Sequence, residues 1–238
     1  MANRSIGRNV DLYDASKPDD ALGGLILRPS ITKNNFLFML EILIIASHPY
    51  GVSLRDTGVN LTASDEPLEP GHYDIRPNSP EGTISVADEL CTVSGRDEGF
   101  RSLVRARDGK CMITGRRNVE ADRGLWRGFQ AAHIFPLSSE QLFIDSGSGR
   151  LITNRAGERD NGINSCQNGL LICLMALTSL STRTDDHYKI TCFGRDDWLD
   201  GRILDPIFRD PNKRESVRDE LLRWHFRQAV LANMKITA

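Results

Sequence analysis

Between Thr62 and Gly82 the chain places Pro67, Pro70, Pro77 and Pro80 among acidic and turn-forming residues. Each proline fixes φ and removes a backbone donor, so a helix or the interior of a sheet tolerates such a density poorly. The stretch is expected to be an irregular surface connection. It would separate an N-terminal α/β region, residues 1–82, from a second region, residues 83–238. A chain of 238 residues can hold one sizeable domain or two small ones.

In the first region, Gly23-Gly24 followed by Leu25-Ile26-Leu27 predicts a short strand after a turn, and Asn34 or Asn35 can cap a helix that ends near His48-Pro49. The apolar run Phe36–Ala46 contains Glu41 and is far short of the ~20 residues that cross a bilayer, so it reads as a buried helix rather than a membrane anchor. In the second region, between Asp97 and Gly115, the expected order is a charged helical segment with Phe100, Leu103 and Val104 on one face, then an Asp108-Gly109 turn, then Cys111-Met112-Ile113-Thr114-Gly115. Gln130–Phe135 predicts a short strand stopped by Pro136, and Ser138–Ser165, rich in Ser, Gly, Asn and Asp, predicts a long loop. Leu170–Leu180 is a continuous apolar run compatible with a helix, although periodicity alone does not settle it, and Tyr188–Phe193 predicts a strand. From Arg214 to Met234, Val217, Leu221 and Trp224 form one row and Leu222, Phe226, Ala229 and Val230 the next, the broad apolar face of a helix.

With 39% hydrophobic and 26% charged residues the chain is of ordinary globular composition. Its net charge of -2 excludes a uniformly basic nucleic-acid binder, so any such surface has to be local. One local excess exists: between Phe100 and Gln130 eight Arg and Lys residues face three Asp and Glu residues. Five cysteines, never spaced as a CxxC pair, indicate neither a disulfide framework nor a zinc ribbon; Cys111 and Cys166 read as small core residues. The opening Met-Ala-Asn-Arg-Ser-Ile-Gly-Arg lacks the apolar core of a signal peptide, so an intracellular setting, cytoplasmic or nuclear, is expected.

The segments that carry chemistry are Phe100-Arg101-Ser102-Leu103-Val104-Arg105, Arg107-Asp108-Gly109-Lys110-Cys111-Met112-Ile113-Thr114-Gly115, Ala131-Ala132-His133-Ile134-Phe135-Pro136-Leu137 and Ile163-Asn164-Ser165-Cys166-Gln167-Asn168-Gly169-Leu170-Leu171. Taken alone, His133 would be read as a structural histidine and Asn168-Gly169 as a turn. In this order they resemble the HNH nuclease-domain proteins of fungi. Leu22-Gly23-Gly24, Pro70-Gly71-His72-Tyr73 and the run from Leu221 to Leu231 resemble the same family, so the likeness spans most of the chain. It implies an α+β fold in which an HNH ββα-metal motif, with its core at about residues 100–193, is embedded in a larger mixed domain flanked by helices.

The resemblance further implies a metal-dependent endonuclease that hydrolyses phosphodiester bonds in DNA. His133 would be the general base, since a neutral imidazole with a reference pKa of roughly 6.5 can take a proton from water near neutral pH. Asn168 would accept the N–H on the far side of that ring and so set its tautomer. A divalent metal ion, Mg²⁺ or similar, would polarise the phosphate. Arg101, Arg105, Arg107, Lys110, Arg116 and Arg117 would contact the backbone phosphates.

The chain departs from that family after Asn168. The third histidine, expected on the following helix, has no counterpart between Leu174 and Thr184, and His187 aligns instead with the next strand beside Tyr188. Ser181-Thr182-Arg183-Thr184 read one base out of frame can encode Asn-Pro-Asp, the tract the family carries there, which a wrongly drawn exon boundary would explain. As written, the chain is expected to cleave weakly or not at all. Two rival readings remain open: a catalytically inactive nucleic-acid-binding or interaction module on the HNH fold, and a complex-forming protein without nucleic-acid contact.

Overall fold

Residues 7–87, 98–155, 160–173, 180–183, 187–193, 197–205, 213 and 215–235 are described by a computed structural model. The chain divides into two units, Met1–Leu90 with Phe193–Asp200 and Arg227–Ala238, and Cys91–Cys192 with Gly201–Phe226. The described residues form a mixed α and β structure with four α-helices.

The first unit is built on strands whose alternate residues are buried. β1 (Val10–Asp14) pairs antiparallel with β2 (Lys17–Leu25) and turns Val10 and Leu12 into the core. Helix α1 (Lys33–Leu43) begins one residue before Asn34, because Thr32 is the cap and its hydroxyl accepts from the Asn35 N–H at 3.2 Å. It buries Phe36, Met39, Leu40 and Leu43, then gives way to a strand, β3 (Ile44–Ala46), rather than continuing to His48. The β-branched Ile44-Ile45 pair fits a pleat better than a helix turn, which favours the change.

β4 (Tyr50–Leu54) and β5 (Gly71–Pro77) complete a four-stranded sheet in the order β2-β1-β5-β4, with β1 and β5 parallel. β5 therefore runs through the stretch expected to be irregular. The prolines permit this because Pro70 precedes the strand, Pro77 is its last residue and Pro80 follows it. Tyr73, on β5, is buried 5.2 Å from the ring of Phe36 and donates its hydroxyl to the Glu69 carbonyl at 2.7 Å. β6 (Ile84–Val86) pairs with β3.

In the second unit α2 (Glu98–Asp108) ends at Gly109, whose φ of +61° suits a residue without Cβ. The strands β7 (Phe129–His133) and β8 (Gly169–Cys173) form an antiparallel hairpin, so the described part of the 170–180 run is a strand and not a helix. Residues 174–179 of that run lie outside the described residues. β9 (Leu180–Arg183) then pairs antiparallel with β10 (Lys189–Cys192).

The excursion joining β7 to β8 is not structureless. It holds α3 (Glu140–Asp145) and short 3-10 turns at Leu137–Ser139 and Ser148–Leu151. Phe143 anchors it from α3, fully buried and edge-on to Phe135 at 5.1 Å, beside Ile152 and Ile163. These isolated apolar residues outweigh the polar composition that predicted a loop. The last helix, α4 (Asp219–Met234), starts later than its apolar rows suggested; Leu221 and Leu222 join the second unit's core, where Trp224 stacks on Phe135 at 3.8 Å.

Candidate active site on the β7–β8 hairpin

His133 closes β7 and lies opposite Gly169, the first residue of β8. Helix α2 covers this pair, with Phe100 and Val104 packed on Cys166 and Leu171. The closeness of the helix explains the glycine: a Cβ on residue 169 would stand 2.6 Å from both Phe100 and Val104. Gly169 has an extended backbone, φ -138° and ψ 153°, so the Asn-Gly pair is not a left-handed turn; the missing side chain supplies room for α2.

The His133 ring lies on the face of Phe100, with centroids 3.6 Å apart and planes at 10°. Its Nε2 is 3.0 Å from Oδ1 of Asn164. A carbonyl oxygen only accepts, so the ring donates from Nε2, and in the neutral imidazole Nδ1 is then the basic nitrogen. Sequence reasoning named His133 and missed both neighbours, although Phe100 and Asn164 stand within the segments that carried the resemblance.

Asn168 has a different task from the one expected. Its Oδ1 accepts from the Phe135 N–H at 2.8 Å, and its Nδ2 donates to the carbonyls of Phe135 at 3.0 Å and Ile163 at 2.8 Å. Its own carbonyl accepts from the Ile134 N–H at 2.9 Å. At 0% exposure the residue is a buried clamp that ties the exit of β7 to the entry of β8. An amide with all these bonds is committed to backbone, and the far side of the imidazole belongs to Asn164.

The six cations expected on phosphate separate into two groups. Arg101 and Arg105 both reach Glu98, at 2.9 and 3.5 Å, and the Arg105 guanidinium lies 5.2 Å from the centre of the Trp126 ring. Lys110 pairs with Asp205 at 2.5 Å. Arg107 is a correction to the expected phosphate contact: all five of its N–H groups are used inside the unit. They go to both carboxylate oxygens of Asp108 and to the carbonyls of Cys166, Gly169 and Glu215, leaving the side chain 11% exposed. Asp108 also accepts from the Leu171 N–H at 2.9 Å. Burial pushes its carboxyl above the ordinary range, against the opposing pull of the guanidinium and that N–H. Arg116 and Arg117, together with Arg123 and Arg127, are exposed on the loop between α2 and β7.

His225, half-buried in α4, has its pKa lowered to about 4 by desolvation, so it is neutral at pH 7 and offers phosphate no charge. His187 is exposed in a left-handed turn before β10. Cys111, Cys166, Cys173 and Cys192 are buried free thiols.

The hairpin thus brings His133 and the Asn168 clamp to the same end, where β7 closes and β8 begins. Residues 111–175 match the family model of the HNH endonucleases. Both His133 and Asn168 fall within the HNH match, which ends just past β8. Residues 7–82 match a second family model, described as a domain of unknown function (DUF8573). No curated protein and no solved structure matches the chain significantly.

HNH endonucleases generally use a divalent cation, and the residues described here do not fit one. Among the described residues no group of three or more His, Cys, Asp or Glu side chains could hold a metal ion. Beside His133 stand an amide, a phenyl ring and Ala132, and no histidine occurs from Leu174 to Thr184. Leu180–Arg183, in the stretch where a ligand-bearing helix was expected, is a strand. Among the described residues no helix is long and apolar enough to cross a membrane.

Proposed function

We propose that the second unit is an HNH-type, endonuclease-like module that binds the DNA backbone and hydrolyses it weakly or not at all. The observation that carries this reading is the His133 imidazole, fixed at the hairpin end by Asn164 and Phe100 within residues similar to HNH endonucleases. A neutral ring whose Nε2 donates to an amide carries its basic lone pair on Nδ1, the atom that general-base chemistry on water requires. Deprotonating water is only part of phosphodiester hydrolysis, because charge also develops on the phosphate and the departing oxygen. Among the described residues no donor set at the site matches that second requirement, which is why binding is expected to outlast cleavage.

Backbone affinity falls to Arg116, Arg117, Arg123 and Arg127, whose exposure leaves them able to meet phosphate. Arg107 has no part in it. The double variant Arg116→Ala/Arg117→Ala is expected to weaken duplex binding similarly for unrelated sequences and to flatten the plot of log affinity against log salt by about 2. Its folding stability should stay within about 0.5 kcal/mol of the parent. Fluorescence anisotropy over a salt series measures both quantities; an unchanged slope, or no binding by the parent at low salt, rejects the assigned surface. A binding module with no residual hydrolysis is the second reading, favoured by the strand at Leu180–Arg183.

A further inference from the structure

We infer that Asn164 positions the His133 imidazole, by accepting Nε2–H and holding the neutral ring in the form whose basic atom is Nδ1. This rests on His133 being the working imidazole of the proposed function. The stack on Phe100 fixes the plane of the ring and nothing more, since a half-turn about the Cβ–Cγ bond leaves the rings parallel while exchanging the places of nitrogen and carbon. A directional partner separates the two orientations, and Asn164 is one, at 3.0 Å from Nε2.

The segment that carries Asn164 is itself fixed. The N–H of Ile163 donates to Oδ1 of Asn161 at 3.0 Å, and the Ile163 carbonyl accepts from Asn168 at 2.8 Å. On the other side the Ser165 N–H reaches the Gly162 carbonyl at 3.0 Å, and the Ser165 hydroxyl accepts from the Gln167 N–H at 3.0 Å. Asn164 is thus held from both neighbours, as a group that must aim another side chain needs to be. The Asn168 clamp and the Asn164 contact form one unit: the first holds the segment, and the second orients the ring. An uncharged acceptor suits the task, because it sets the tautomer without the charge that would raise the proton affinity of the base.

The test uses the full chain without nucleic acid, its histidines labelled with ¹⁵N and the His133 signals assigned by their loss in His133→Ala. The parent protein is expected to show a neutral His133 ring with an Nε2–H slow to exchange with solvent. In Asn164→Ala that protected proton should disappear. In Asn164→Asp it should persist, with the ring titrating higher by roughly one unit or more because a carboxylate replaces the amide. A neutral parent ring protonated on Nδ1, a protected Nε2–H that survives Asn164→Ala, or an Asp variant that titrates like the parent would each overturn the assignment. Should Asn164→Ala fail to fold, the parent and Asp spectra still decide. Absence of DNA binding alongside the expected spectra would count against the proposed function and leave the positioning intact.

Discussion

Arg107→Ala is expected to destabilise the second unit by about 3–5 kcal/mol, as removal of one partner from a buried ion pair does. The Asp108 side chain has 0% exposure, and its neutralising guanidinium also serves three backbone carbonyls drawn from distant parts of the chain, at Cys166, Gly169 and Glu215. Lysine should be a poor substitute, since one ammonium cannot reproduce the planar fork. Thermal unfolding followed by circular dichroism should show the midpoint fall by on the order of 10 °C.

The deficit should also depend on pH. The Asp108 carboxyl is already raised by burial, and loss of the guanidinium raises it further. An acid whose folded pKa exceeds its unfolded value costs stability as pH climbs from the unfolded value through the folded one. The Arg107→Ala deficit should therefore be greatest at neutral pH and narrow in acid, where the carboxyl is protonated in both states. A variant with an unchanged midpoint and a shallower salt dependence of DNA binding would return Arg107 to the phosphate surface.

Asn168→Ala should be nearly as damaging, for a different reason. Truncation leaves the Phe135 N–H and the carbonyls of Phe135 and Ile163 without their buried partner. At ~1–3 kcal/mol for each stranded group, partly relieved if water enters, a loss of about 3 kcal/mol or more follows. Hydrogen exchange reads this locally: the Phe135 amide should exchange far faster, ahead of the strand amides of the hairpin. The Asn168→Asp variant should not rescue it, because both donated bonds are lost and a charge is buried. If Asn168→Ala kept its stability and its Phe135 protection while His133 lost its fixed tautomer, the clamp would be wrong and a direct role beside the ring right.

The sequence was most legible where side chains alternate or repeat at short range. The strand ending in Ala-Ala-His, the helix before Asp108-Gly109 and the α4 rows are local patterns, and each appears with shifted ends. It was least legible where distant segments decide the outcome. β5 exists because β1 and β4 flank it, which the proline count hides. Arg107 looked like one more cation in a basic run, yet the groups that make it a strut lie up to 108 residues away. Asn164 and Asn168 stand four residues apart in one motif, and nothing in their order says which faces the ring. That choice is made by the turn at Gly162–Ser165 and the 3-10 turn Cys166–Asn168, which put one amide beside the imidazole and bury the other.

Supercoiled plasmid incubated with the full chain in Mg²⁺ or Mn²⁺, beside His133→Ala and the parent without metal, separates binding from hydrolysis and shows whether His133 serves the second. The parent is expected to shift plasmid mobility at low salt while nicking it slowly or not detectably, and any nicking it does produce should disappear in His133→Ala. Brisk metal-dependent nicking that persists in His133→Ala would rule out both the weak cleavage and the role of His133 as base.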